Sequence, residues 1–174
     1  MDDRAGLVLE DDLRLHVAAL RYFKPAPPFA TAFAAATGVA LPSRLTAARV
    51  SLPGAAAAGP LIFAWMRPTQ TLALAQGAAA LEELGARLAQ AAGGQVVTLT
   101  GGLRILRLRG ARVAELIGRL GSAGAPRLNE AKRVRLADVP VLTLSVCEGE
   151  VLLAVERAYA RHLLEWLEVT LGDW

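Results

Sequence analysis

The side chains able to do chemistry are few in this sequence, and their spacing forms no catalytic set. The chain holds two histidines, His16 and His162, and one cysteine, Cys147. Their separations match no metal-ligand spacing, and a single cysteine excludes an internal disulfide. Cys147 ends the apolar run VPVLTLSVC and reads as a small buried residue. Glu82 and Glu83 are adjacent, so they point in different directions on a helix and suit its dipole better than a shared proton. Asp2, Asp3, Glu10, Asp11 and Asp12 crowd the N-terminus, where they read as a solvated acidic arm over residues 1–12. No GxSxG elbow and no Walker A loop occurs. The glycine pairs 93–94 and 101–102 lack the GxGxxG spacing of a dinucleotide loop and suit turns instead. The expectation is therefore no catalytic, cofactor-binding or metal-ligating residue in this chain.

One stretch does carry concentrated charge. Residues 101–110 read GGLRILRLRG, with Arg104, Arg107 and Arg109 interleaved among Leu103, Ile105, Leu106 and Leu108. On a strand, Leu106 and Leu108 share one face, while Ile105, Arg107 and Arg109 share the other. The apolar residues on both faces predict a partly buried strand. The three arginines are candidate partner contacts, reaching carboxylates on a partner or on a neighbouring helix. Arginines that merely snorkel at a sheet margin are the alternative.

The elements that must position these residues follow from periodicity and punctuation. LRLHVAALRYF (13–23) predicts a strand ended by Pro25, Pro27 and Pro28, and FATAFAAATG a helix stopped by Gly38. In 39–59 no assignment is firm, although LTAARVSLP is compatible with a strand. LIFAWM and QTLALA, joined by Arg67-Pro68-Thr69, predict a hairpin. AAALEELGARLAQAAG predicts a helix with a Leu81, Leu84, Leu88 stripe. QVVTLT (95–100) predicts a strand, and Gly101-Gly102 a two-residue hairpin turn into the arginine strand. ARVAELIGRLG follows as a helix with Val113, Leu116, Ile117 and Leu120 on one side. KRVRL and VPVLTLSVC then predict strands, Glu148-Gly149 a turn and EVLLAV its return. RAYARHLLEWLEVTL closes as a helix. Its expected inward stripe is Tyr159, Leu163, Trp166, Leu167 and Thr170, and its wet face Arg157, Arg161, Glu165 and Glu168.

This order uses one pattern twice. The fold class expected is α+β, with two fused split βαβ (ferredoxin-like) halves and antiparallel-rich sheets. Residues 13–100 form a βαββαβ-like half and 101–174 a βαββα-like half, in one compact domain behind the 1–12 arm. Apolar residues make up 54% of the chain, enough at this length to form a core without disulfides or metal, and the surplus reads either as an alanine-rich style of sequence or as a face meant for a partner. The net charge of +3 is scattered and aromatics are only 5%, which argues against a nucleic-acid stripe. The longest apolar run, 55–66, is broken by Gly59-Pro60 and is too short to span a bilayer. With no signal-like N-terminus, the expectation is a cytoplasmic protein.

The run VVTLTGGLRILRLRGARVAELIGRLG resembles the strand–turn–strand–Gly–helix core of the aminomethyltransferase-like, folate-binding fold. RVRLADVPVLTLSV followed by EVLLAVERAYARHLLEWL, with Tyr159, Trp166 and Leu167 on the terminal helix, is similar to the gamma subunit of bacterial heterotetrameric sarcosine oxidase. WMRPTQTLALA occupies the place of a turn of that family. The resemblance, over roughly residues 60–170, implies a non-catalytic accessory subunit packing against the large subunit of a flavoprotein amine oxidase complex. It implies that flavins, NAD and folate belong to the partner subunits and none to this chain; whether the isolated chain forms a homo-oligomer stays open in the sequence. A stand-alone protein that binds a folate-like small molecule is the other reading, and the substrate of any parent complex stays open.

Overall fold

The computed structural model describes residues 2–4, 6–11, 15–23, 27–55, 59–99, 101–121 and 124–173, with backbone only for 2–4. The chain divides into two compact units: Arg14–Thr100, and Met1–Leu13 together with Gly101–Trp174. The expected halves joined at 100/101; here the N-terminal residues belong with the second of them.

The unit of 14–100 contains β3 (His16–Tyr22), α1 (Pro27–Thr37), β4 (Ala47–Ser51), β5 (Pro60–Arg67), β6 (Gln70–Ala75), α2 (Ala78–Leu88) and β7 (Gly94–Thr98). Its antiparallel sheet runs β4-β5-β6-β3-β7. The segment left open in sequence thus supplies the edge strand β4, while residues 56–58 lie outside the described ones. Ala18, Leu20 and Tyr22 alternate toward the helices. They form a core with Phe29 and Phe33 of α1, Phe63 and Ala73 of the sheet, and Leu81, Leu84 and Leu88 of α2. Phe33 meets Phe63 edge-on at 4.9 Å between centroids, and Tyr22 stacks on Phe29 at 5.6 Å. Each buried ring stabilises the fold by roughly 1.5–3 kcal/mol. Arg87 of α2 bonds Glu83 and donates to the carbonyls of Ala36 and Pro53, which ties α2 to the end of α1. Helix α1 ends at Gly38, whose φ of +78° is open to glycine at no steric cost.

The other unit contains β1 (Asp2–Arg4), β2 (Leu7–Asp11), β8 (Leu103–Gly110), α3 (Val113–Arg119), β9 (Glu130–Leu136), β10 (Val139–Cys147), β11 (Glu150–Glu156) and α4 (Arg157–Gly172). Its antiparallel sheet runs β1-β2-β8-β11-β10-β9. Leu106 and Leu108 join Val113, Leu116, Ile117, Leu163 and Leu167 in its core. The β9–β10 turn is Ala137-Asp138, both at positive φ (47° and 65°), the geometry that suits the twist of a two-residue hairpin.

The two sheets share one strand sequence. β4-β5-β6-β3-β7 in one corresponds to β9-β10-β11-β8-β2 in the other, with β1 added at the edge. The strand that completes the second sheet comes from the N-terminus. This corrects the expected acidic arm: residues 7–11 are a strand paired with β8 from Leu7↔Gly110 to Asp11↔Leu106. Leu7 is fully buried there. Acidic composition suggested a solvated tail, but Glu10 and Asp11 find arginines across the ladder, which removes the reason to stay in water.

A second correction concerns Gly101-Gly102. The predicted hairpin does not form: β7 pairs with β3, and β8 pairs with β11 and β2. At this point the chain passes from one unit to the other. Two apolar strands flanking Gly-Gly satisfy the local hairpin pattern, but β8 is paired on both sides in its own sheet and β7 closes the edge of the other.

The third correction is in α4. Its buried stripe is Ala160, Leu163, Leu167 and Leu171. Tyr159 and Trp166, expected to face inward, are 46% and 49% exposed. Stripes 159/163/166/170 and 160/163/167/171 differ by a fraction of a helical turn, and the sequence supports both. Ala160 lets the helix approach its sheet, whereas a tyrosine ring on that side would hold it off. The expected wet face of Arg157, Arg161, Glu165 and Glu168 is exposed, with Arg161 and Glu165 bonded at 2.9 Å.

Candidate interaction surfaces

β8 sits between β2 and β11, and that placement decides what its arginines meet. Arg104 points to the helix-covered face and holds Asp11 through both guanidinium nitrogens Nε and Nη2. The bond to Asp11 raises the Arg104 pKa above its ordinary value, against the opposing cost of partial burial. Arg107 and Arg109 lie on the opposite face. Arg107 is cross-strand from Glu10, and Arg109 from Glu150. Arg109 Nε donates to Glu150 Oε2 at 2.8 Å, Arg107 Nε stands 3.5 Å from the same oxygen, and Arg107 Nη1 is 3.4 Å from Glu10 Oε2. Among the described residues, two arginines and two carboxylates thus meet in one network, in which Arg107 and Glu150 are only 15% and 14% exposed and Arg109 is 47% exposed.

The carboxylates expected from a partner or from a helix are therefore supplied by the two flanking strands. Periodicity placed Arg107 and Arg109 on one face correctly. It could not supply the acceptors, because Glu10 and Asp11 are more than 90 residues away in sequence.

Helix α4 carries a different surface, which the inward-stripe expectation concealed. Tyr159, His162, Trp166 and Val169 recur at helical spacing on one flank, all exposed. The His162 and Trp166 rings meet edge-on at 6.5 Å between centroids. Glu165, one turn before Val169, borders the flank. An aromatic and aliphatic stripe of this kind is what a protein partner covers.

The remaining chemistry-bearing residues do not converge. His16 is on β3 and His162 on α4. Cys147 is at the end of β10, half-buried. Among the described residues, no group of three or more His, Cys, Asp and Glu side chains is placed to hold a metal ion, and no helix is long and apolar enough to cross a membrane. The Glu130 carboxyl has its pKa lowered chiefly by a backbone bond. The Arg127 N–H donates to its Oε2 at 2.8 Å and, with Lys132, outweighs partial burial. Glu115 is likewise lowered, first by Arg112 and then by Arg119.

At the level of sequence, no family model matches this chain, and no curated protein matches it significantly. In three dimensions the similarity is extensive. A chain of the heterotetrameric sarcosine oxidase from Corynebacterium sp. U-96, solved in complex with pyrrole 2-carboxylate, matches 99% of this chain and 87% of its own length, with a TM-score of 0.78 and 24% identity. The glycine cleavage system aminomethyltransferase T from Bartonella henselae matches 94% of this chain at a TM-score of 0.72 and 22% identity, but only 46% of that longer chain is covered. The two β-α units described above therefore carry the fold of a sarcosine oxidase chain and of part of an aminomethyltransferase.

Proposed function

We propose that this protein is a non-catalytic accessory subunit, gamma-like, of a heterotetrameric sarcosine-oxidase-type flavoenzyme complex, and that it packs against the large subunit in the cytoplasm. The observation that carries the reading is the match to a chain of such a complex over nearly the whole of both lengths. The exposed flank of α4 supports it, because that stripe offers a partner an aromatic and aliphatic surface. Flavins, NAD and folate belong in this reading to the partner subunits. If the arginine strand also touches a partner, Arg109 is the residue that does so, since its side chain is the most exposed of the three. The repeated strand order supports reading each unit as one split βαβ half, with β2 closing the second.

Co-expression with a large flavoprotein oxidase subunit, followed by affinity capture, tests the proposal. Stoichiometric co-purification is the expected result. A chain that stays monomeric beside that subunit, and whose melting temperature rises with tetrahydrofolate, would instead establish the small-molecule binder.

A further inference from the structure

At one end of the five-stranded sheet lies a cavity of about 650 Å³, within the range of about 300–1,000 Å³ that small ligands occupy. It is lined by the end of β3 (Arg21, Tyr22, Phe23), the β5–β6 turn (Arg67, Thr69, Gln70) and the start of β7 (Gly93, Gly94, Gln95). Two backbone bonds fix this frame: Tyr22 N–H donates to the Thr69 carbonyl at 3.1 Å, and Phe23 N–H to the Gly93 carbonyl at 3.0 Å.

The polar lining is a row. Arg21 is cross-strand from both Gln70 and Gln95, and Arg67 is cross-strand from Gln70. Gln95, Arg21, Gln70 and Arg67 thus follow one another across four strands, a span of ~14 Å at the usual strand spacing. The lining includes two guanidinium groups and no carboxylate. Arg21 and Arg67 contrast with the arginines of β8: among the described residues neither has an ion-pair or hydrogen-bond partner. Gln70, only 5% exposed as a whole residue, still lines the cavity. Phe23, 77% exposed, adds an open aromatic face at the rim.

We infer that this row binds a small organic oxyanion, a carboxylate or phosphate ester with a flat apolar portion. The forks of Arg21 and Arg67 would take its oxygens, the amides of Gln70 and Gln95 would complete their hydrogen bonds, and Phe23 would cover the apolar part. Guanidinium forks match the planar geometry of such groups and keep their charge at any working pH. The site lies within one unit and is separate from the α4 flank, so it stands or falls independently of the subunit reading.

The test is an NMR titration of the full chain, without partner, using glutarate, isophthalate and inorganic phosphate, each up to about 10 mM. Saturable shifts at the amides of Gln70, Gly93, Gly94 and Gln95 are expected, with isophthalate tighter than glutarate if Phe23 covers the apolar part. Shifts there with phosphate alone would assign the oxyanion as a phosphate rather than a carboxylate. Arg21→Gln with Arg67→Gln should weaken binding at least about tenfold. Absence of shifts at those amides with all three probes would overturn the site. So would equal affinity in the double variant, or binding of an acidic peptide with none of the small anions. Because the wild-type titration maps the site unaided, the inference stays testable if the double variant fails to fold.

Discussion

Glu150 accepts from Arg109 Nε at 2.8 Å while Arg107 Nε stands 3.5 Å from the same carboxylate oxygen, so one acid on β11 serves two arginines of β8. Arg107 and Glu150 are mostly buried, and Arg109 is half exposed. The network should therefore respond unequally to truncation. Glu150→Gln removes the charge of the carboxylate that Arg107 shares with Arg109 and should destabilise the protein by about 1–3 kcal/mol, seen as a lower urea midpoint. Arg109→Ala should cost less than ~1 kcal/mol, because an exposed pair is screened. Equal losses in the two variants would show that Glu150 does not bridge.

The α4 flank and the β8 arginines can be separated by what each variant changes. Trp166→Ala with Tyr159→Ala removes exposed rings and should shift stability by no more than ~1 kcal/mol, yet weaken capture by the large subunit at least about tenfold. Arg107→Ala should do the reverse, lowering the melting temperature while complex formation persists on size-exclusion chromatography. Loss of assembly with the arginine variant at unchanged stability would move the docking surface to β8.

Two glycines are held by close approach. A Cβ at Gly94 would lie 2.3 Å from the Phe29 ring, and one at Gly110 would lie 2.0 Å from the backbone oxygen of Gly6. Gly110 also has φ of +129°. Gly94→Ala should cost about 1–3 kcal/mol, because a side chain can shift. Gly110→Ala meets backbone and strain together and should cost about 3 kcal/mol or more, enough to loosen β2 from β8. Hydrogen-exchange protection at Leu7 and Leu9 reads the second effect directly.

Stability should carry a carboxylate signature from Glu130. Its folded pKa lies below the ordinary 4.5, held there by the Arg127 N–H and Lys132. The unfolded chain therefore binds its proton first as pH falls, so the contribution is complete above about 4.5 and fades as pH drops through the lower folded value. Glu130→Gln should lower the melting temperature more at pH 7 than at pH 3. A constant deficit at both pH values would assign the loss to packing instead.

Local pattern went far with this protein. Alternation and stripes located β3, both later hairpins and the buried faces of α2 and α3, because each depends on residues within a few positions of one another. The same pattern predicted a hairpin at Gly101-Gly102 that does not form, since turn chemistry is blind to which sheet offers the better partner. It also turned Tyr159 and Trp166 inward, because two overlapping stripes on one helix fit equally well until Ala160 sets the approach to the sheet. The row of Arg21, Arg67, Gln70 and Gln95 gave no sequence signal, since its members come from four strands and meet only through register.

What the sequence by itself determined was the repeated order of strands and helices, the apolar faces that form each core, and the alternation that puts Arg107 and Arg109 on the same side of β8. Tertiary structure alone decided that residues 7–11 close the second sheet, that the acids there pair with the arginines, and that an aromatic flank of α4 stays in water. The physical reason is range: periodicity is written in neighbouring residues, whereas pairing across a sheet is settled by whichever distant strand satisfies the open edge and its charges.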